Sequence, residues 1–239
     1  MRTVVSVTLN KRELQFSNAF SVTNYCNLVS SKSLLMKRVA LINGVSRQFK
    51  YNKVLADKYK EAGYQVTEFE SSKIHILSRH LRHTALPRAK EILDNHDVIH
   101  TQSGGFSPFV HYFFENNYKQ PFIFETPVIK ITTGTFLAGT NLAKSHKVKP
   151  NALLDKFLAT FCFEPRWIND THKVLHALKE RKQGLLLASR GDVVSDIEDK
   201  EYLFNHVYEK GMHGRLFYEN DFSVVTQFLD DFFERQKAR

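Results

Sequence analysis

The feature that most constrains this chain is an alternation, sustained from Arg38 onward, of short apolar runs with helix-like stretches. Val39–Ile42 is β-branched and aliphatic and ends at Asn43-Gly44. Residues 48–62 follow with Val54, Leu55, Tyr59 and Ala62 at helical spacing, and stop at Gly63, a common helix terminator. Tyr64–Phe69, Val98–Thr101, Phe122–Glu125, Leu185–Ala188 and Arg215–Tyr218 read as further strands. Between them fall a helix opened by Pro87 and carrying Ala89, Ile92 and Leu93, and another presenting Phe109, Val110, Phe113 and Phe114. A helix through Tyr202–Tyr208 and a closing helix complete the pattern; the closing one carries Val224, Val225, Phe228, Leu229, Phe232 and Phe233 as one apolar stripe. Strands separated by helices require right-handed crossovers. The chain is therefore expected to form an α/β fold whose mostly parallel sheet has about six to eight strands flanked by helices.

One interval breaks the rhythm. Between the strands at Phe122 and Leu185 the pattern lapses into Gly, Thr and Lys and then resumes as two amphipathic helices, around Leu153–Phe161 and Trp167–Leu178. This predicts a small helical lid inserted at about 128–180 in a domain spanning 38–239. Residues 1–37 form an N-terminal extension. Eleven of the 34 basic residues fall in the first sixty positions against Glu13 and Asp57, and the rest of the chain is balanced. The extension is also Ser-rich, with Glu13 its only acid. Two readings stay open: a mitochondrial transit peptide, or an edge hairpin in which Thr3–Thr8 and Glu13–Phe16 alternate around Asn10-Lys11. The protein is expected to be intracellular, mitochondrial on the first reading and cytoplasmic on the second.

Other classes are disfavoured by the same inspection. Cys26 and Cys162 are the only cysteines and lack a metal-type spacing, so two reduced thiols are expected. No apolar run approaches the roughly 18 residues of a membrane-spanning helix, and no nucleic-acid motif accompanies the basic charge. Gly134 and Gly139 have phosphate-loop spacing, but Thr140-Asn141 stand where Lys and Ser or Thr belong. His75, His80 and His83, with Lys73, Arg79 and Arg82, form a basic cluster best read as a solvated loop. His96 and His100 lack metal-ligand spacing, and neither a metal nor a cofactor is expected.

In open parallel sheets ligands bind at the carboxyl ends of strands. Three such ends carry chemistry here: Asn43-Gly44-Val45, Gln102-Ser103-Gly104-Gly105 and Arg190-Gly191-Asp192. Their order and spacing over 38–239 resemble the α/β-hydrolase superfamily. Within it, the Val39 strand with its helix and the segment Ser189–Val194 are similar to an uncharacterised eukaryotic group of hydrolase-like proteins that includes a nuclear-envelope transmembrane protein. The resemblance implies a nucleophile on a sharp strand-to-helix elbow, an oxyanion-hole amide at the first strand end and the acid of a triad at the last. Carried over, Ser103 is the candidate nucleophile and Asp192 the candidate acid, with Gly44, Val45 and Gly104 as oxyanion residues.

The elbow has two registers. With Ser103 at its centre the flanking residues are Thr101 and Gly105, both small; aligned on Gly104-Gly105 instead, Gln102 replaces the nucleophile and His100 takes a position meant for a small residue. Sterics favour Ser103. The family places its histidine after the last strand, and the segment Glu219–Ser223 contains none. His213 precedes the run Arg215–Tyr218, which as a strand would carry it to the opposite end of the sheet; His172 and His176 fall on the expected lid. The triad thus reads as incomplete. The leading expectation is an atypical or non-catalytic hydrolase-fold protein that binds a small acyl-type ligand or a protein partner. The alternative is a serine hydrolase of the esterase, thioesterase or lipase type, using Ser103 and Asp192 with an unconventional histidine.

Overall fold

A computed structural model describes residues 36–44, 52–69, 82–106, 109, 118–127, 165–192, 194, 197 and 200–238. Six strands lie among them: β1 (Arg38–Ile42), β2 (Gln65–Phe69), β3 (Val98–Gln102), β4 (Phe122–Glu125), β5 (Gly184–Ser189) and β6 (His206–Tyr208). They form one sheet in the order β2-β1-β3-β4-β5-β6, and every neighbouring pair is parallel. The flanking helices are α1 (Asn52–Glu61), α2 (Arg82–Asn95), α3 (Pro165–Glu180), α4 (Leu216–Glu219) and α5 (Ser223–Lys237).

The central strands are nearly uninterrupted apolar runs because both of their faces are covered. Val39, Leu41, Val98, Ile123, Leu185 and Leu187 pack on one face with Leu55, Ala56 and Tyr59 of α1 and Val225 and Leu229 of α5. Ala40, Ile42, Ile99, Phe122, Phe124 and Leu186 pack on the other with Ile92 and Leu93 of α2 and Val174, Leu175 and Leu178 of α3. The edge strand β2 is mostly exposed or half-buried, as its polar sequence requires.

Five strands agree with the sequence pattern to within a residue or two. The sixth is a correction. Arg215–Tyr218 is not a strand: Leu216–Glu219 is a single helical turn that buries Leu216 and Phe217 and leaves Tyr218 exposed. The last strand lies earlier, at His206–Tyr208, where a helix was expected. Glu201–Leu203 makes only one 3-10 turn, and the Asn205 side chain then accepts the Leu186 N–H and docks the chain onto β5. The second expected lid helix corresponds to α3, whose buried Val174, Leu175 and Leu178 lie in the sheet core. Helix α2 begins at Arg82, ahead of Pro87. Residues 1–35, both cysteines, the His75–His83 cluster, the Gly134–Gly139 loop and the helix expected at 153–161 lie outside the described residues. No helix among the described residues is long and apolar enough to cross a membrane.

Three tyrosines tie the helical layer to the sheet, and burial raises the pKa of each: Tyr64 and Tyr208 to about 12, and Tyr59 well above its ordinary range. Unfolded, these phenols ionise near pH 10. The stability they contribute is complete below about pH 10 and is lost as the pH rises toward their folded-state values. Urea titrations across this alkaline range are expected to show unfolding free energy falling with pH, with a shallower fall in Tyr208→Phe. A profile identical in that variant contradicts the assignment.

Candidate active site

Strand β3 delivers Ser103 to the carboxyl edge of the sheet, and the chain turns there at once into a 3-10 turn, Ser103–Phe106. Ser103 sits at φ 52, a left-handed conformation that a residue with a Cβ adopts only where its surroundings impose it. Those surroundings are the end of β1. A Cβ on Gly105 would stand 2.7 Å from the Asn43 carbonyl oxygen and 2.9 Å from that of Ile42. A Cβ on Gly44 would stand 2.7 Å from the Ser103 Cβ and 3.3 Å from its Oγ. Ser103 therefore holds the turn position. Gln102 does not: its side chain is buried and its amide donates to Glu125 Oε2 at 2.8 Å. Gly104, buried, follows directly within the turn. Val45, the remaining oxyanion candidate, lies outside the described residues.

Asp192 follows β5 and is buried. Its Oδ1 accepts the Val194 N–H at 2.8 Å, and its Oδ2 is 2.8 Å from His213 Nδ1. The other ring nitrogen, His213 Nε2, is 2.7 Å from Ser103 Oγ. An ionised carboxylate only accepts hydrogen bonds, so His213 donates Nδ1–H to Asp192, leaving Nε2 to accept the Ser103 hydroxyl proton. A serine, an imidazole and a carboxylate thus lie in one hydrogen-bonded row, and such a row can carry a proton away from the serine oxygen.

His213 is the residue that the sequence reading placed at the opposite end of the sheet. Because the last strand is His206–Tyr208, His213 lies after it and comes back to the same edge as Ser103 and Asp192. Its loop is tightly built. Gly211 has φ 136 and passes so close to Leu216 that a Cβ would lie 2.9 Å from that side chain. The Asn220 amide donates to the carbonyls of both Lys210 and Leu216 at 2.7 Å, and Gly214 has φ 66. The signal that could have found this loop is the Gly211-Met212-His213-Gly214 pattern, a histidine between two backbone-permissive residues. The two histidines expected on the lid, His172 and His176, lie on α3, with His176 exposed beside Glu180; His100 is fully buried with Nδ1 2.8 Å from the Tyr59 hydroxyl. Phe109 is buried in the core against Phe122. Among the described residues, no cluster of three or more His, Cys, Asp or Glu is placed to hold a metal ion.

No family model matches the chain, and no curated protein matches it in sequence. Its structure is similar to that of an esterase from Pyrococcus furiosus in two crystal forms. One superposes with a TM-score of 0.55 at 16% identity, covering 82% of this chain and 82% of the esterase. The other gives 0.52 at 18% identity, covering 82% and 83%. A thioesterase domain from the curacin biosynthetic pathway aligns at TM-score 0.49 and 11% identity, over 82% of this chain and 92% of that one. The fold is that of the α/β-hydrolases, as the resemblance read in the sequence implied.

The tight contact at the elbow yields a direct test. Gly105→Ala must push β1 and the turn apart against two backbone oxygens, and is expected to cost about 1–3 kcal/mol in chemical denaturation. Unchanged stability would mean that the elbow does not press on β1.

Proposed function

We propose that this protein is a serine hydrolase of carboxylic esters or thioesters, with Ser103 as nucleophile, His213 as general base and acid, and Asp192 holding the imidazole. The observation that carries this reading is the unbroken row from Ser103 Oγ to His213 Nε2 at 2.7 Å and from His213 Nδ1 to Asp192 Oδ2 at 2.8 Å. The expectation of a non-catalytic site rested on the lack of an imidazole near Ser103, and His213 supplies one. The Pyrococcus esterase of similar fold agrees with ester hydrolysis; the geometry carries the proposal.

In this mechanism the Ser103 oxygen attacks the carbonyl carbon as its proton passes to His213 Nε2. The imidazolium so formed is stabilised by the buried carboxylate of Asp192 beside Nδ1. Negative charge develops on the carbonyl oxygen. The backbone amide of Gly104, immediately after the nucleophile, and that of Gly44, whose backbone lies against Ser103, are the proposed donors to it. Collapse of the adduct breaks the bond to the alkoxide or thiolate, which takes the proton from His213, and leaves Ser103 acylated. Water then attacks the acyl group, with His213 again as base, and restores the serine. A left-handed residue at the turn suits this chemistry because it projects the hydroxyl out of the sheet edge.

The test is the rate at which a fluorophosphonate probe modifies the purified protein. Wild type is expected to be labelled at Ser103 and Ser103→Ala not at all. His213→Ala is expected to label about 100-fold or more slowly, the usual scale for loss of a general base. Asp192→Asn is expected to lie between. Folded wild type that resists the probe, or labelling that persists in Ser103→Ala, overturns the proposal.

A further inference from the structure

Beneath the Ser103–His213 pair lies a second buried carboxylate that the hydrolytic steps do not use. Glu125 closes β4, between the strand that ends at Ser103 and the one that leads to Asp192, and is 1% exposed. A carboxylate that deep is tolerated only if its oxygens are satisfied. Its Oε2 accepts the Gln102 amide at 2.8 Å, from the residue immediately before the elbow serine. Its Oε1 accepts the backbone N–H of Leu216 at 3.0 Å, three positions after His213. A third group faces it: His100 Nε2 is 3.3 Å from Oε2, outside hydrogen-bond geometry but within reach of its charge. The Tyr59 hydroxyl is 2.8 Å from the other ring nitrogen, His100 Nδ1, and an acceptor-only carboxylate beside Nε2 favours the tautomer with the ring proton on that side. Thr126 adds a long contact to the same loop, accepting the Gly214 N–H at 3.4 Å, and itself sits at φ 46.

We propose that Glu125 is a positioning residue for the Ser103–His213 pair, a buried strut whose two oxygens lock the nucleophile's strand and the histidine's loop to a common point. Ser103 and His213 are 110 residues apart in sequence, and their 2.7 Å contact depends on two separate pieces of backbone keeping a fixed separation. Glu125 bonds to both pieces. Gln102 and Leu216 present N–H groups to it and His100 Nε2 faces it, a setting that suits an acceptor-only carboxylate better than an amide of the same shape. In Glu125→Gln one NH2 must face at least one of those donors. Relief at the Oε2 position requires Gln102 to flip and the His100 ring to change tautomer together, and relief at Oε1 leaves an amide facing the Leu216 N–H. The strut rests on the reading of Ser103 as an activated serine only for its effect on chemistry; its effect on His213 is a separate observable.

The experiment measures two properties of wild type, Glu125→Gln and a control, Ile123→Val. Ile123 is a buried apolar neighbour on β4, and its truncation perturbs the same strand without touching the strut. The first readout is the rate of fluorophosphonate labelling per folded molecule. The second is the downfield proton resonance of the His213 Nδ1–H bonded to Asp192, assigned by its loss in His213→Ala. Glu125→Gln is expected to label about tenfold or more slowly, the scale for a misplaced reacting pair, and to lose or broaden the resonance. Ile123→Val is expected to match wild type in both. If wild type shows the resonance but resists the probe, and Glu125→Gln loses the resonance, the strut stands and the hydrolase proposal falls. Should Glu125→Gln not fold, Gln102→Met, which removes one arm of the strut, is judged by the same two readouts. Wild-type labelling and resonance in the strut variant, equal impairment in Ile123→Val, or no such resonance in wild type overturns the inference.

Discussion

The elbow and the end of β1 meet with no room for a single methyl group between them. The Gly105 backbone sits under the carbonyls of Ile42 and Asn43, and the Gly44 backbone lies against the Ser103 side chain. Two glycines, one just after β1 and one in the turn after β3, make that approach feasible, and Ser103 beside them takes a left-handed turn at φ 52. A non-glycine residue in that conformation costs on the order of 1–3 kcal/mol. The cost is offset by what immediately follows: Phe106 is fully buried and packs edge-on against Phe124. Strain at the serine is therefore held in place by the rigidity of the sheet core.

Parallel strands bring the rest of the site to the same edge. Gly44, Ser103, Thr126 and Asp192 follow β1, β3, β4 and β5, and the His213 loop follows β6. Two buried acids divide the work of arranging them. Asp192 holds the orientation of the imidazole itself, through one bond to His213 while its other oxygen accepts the Val194 N–H. Glu125 grips the backbone and side-chain groups on either side of the serine–histidine contact. Outside this pair, the Arg190 guanidinium bonds to Glu201 after β5 and to Glu209 after β6, clasping the two strand ends at the surface. Being exposed, these ion pairs add little stability, but they span the base of the loop that carries His213.

Much of this was legible in the residues. The strands at Val39, Val98, Phe122 and Leu185 are apolar runs of strand length, and the more polar strand at Tyr64 is marked by the helix that stops at Gly63 just before it. The small residues around Ser103 marked the sharp turn after β3 with Ser103 at its corner, and Arg190-Gly191-Asp192 marked the end of β5. What failed was the last strand. His206–Tyr208 is three residues long, too short to show a period, while Leu216-Phe217-Tyr218 is an apolar run that imitates a strand and is one helical turn. That exchange sent His213 to the wrong edge of the sheet and made the site look incomplete. Glu125 was equally hidden: its isolated carboxylate at the end of Phe122-Ile123-Phe124 carries no motif, and its significance depends on partners at 102 and 216 that only the folded chain brings together.

The central claim is that Ser103 attacks a carbonyl and is transiently acylated. Rapid mixing of the protein with a p-nitrophenyl ester, with intact-mass analysis of the quenched sample, tests it most directly. The account predicts a burst of nitrophenolate approaching one equivalent per protein and a matching acyl adduct on the peptide that contains Ser103. Turnover of the ester with neither a burst nor an adduct leaves room for a fast deacylation step, so the same mixture is also run with a slowly hydrolysed carbamate ester. Absence of a Ser103 adduct from both reagents contradicts the account.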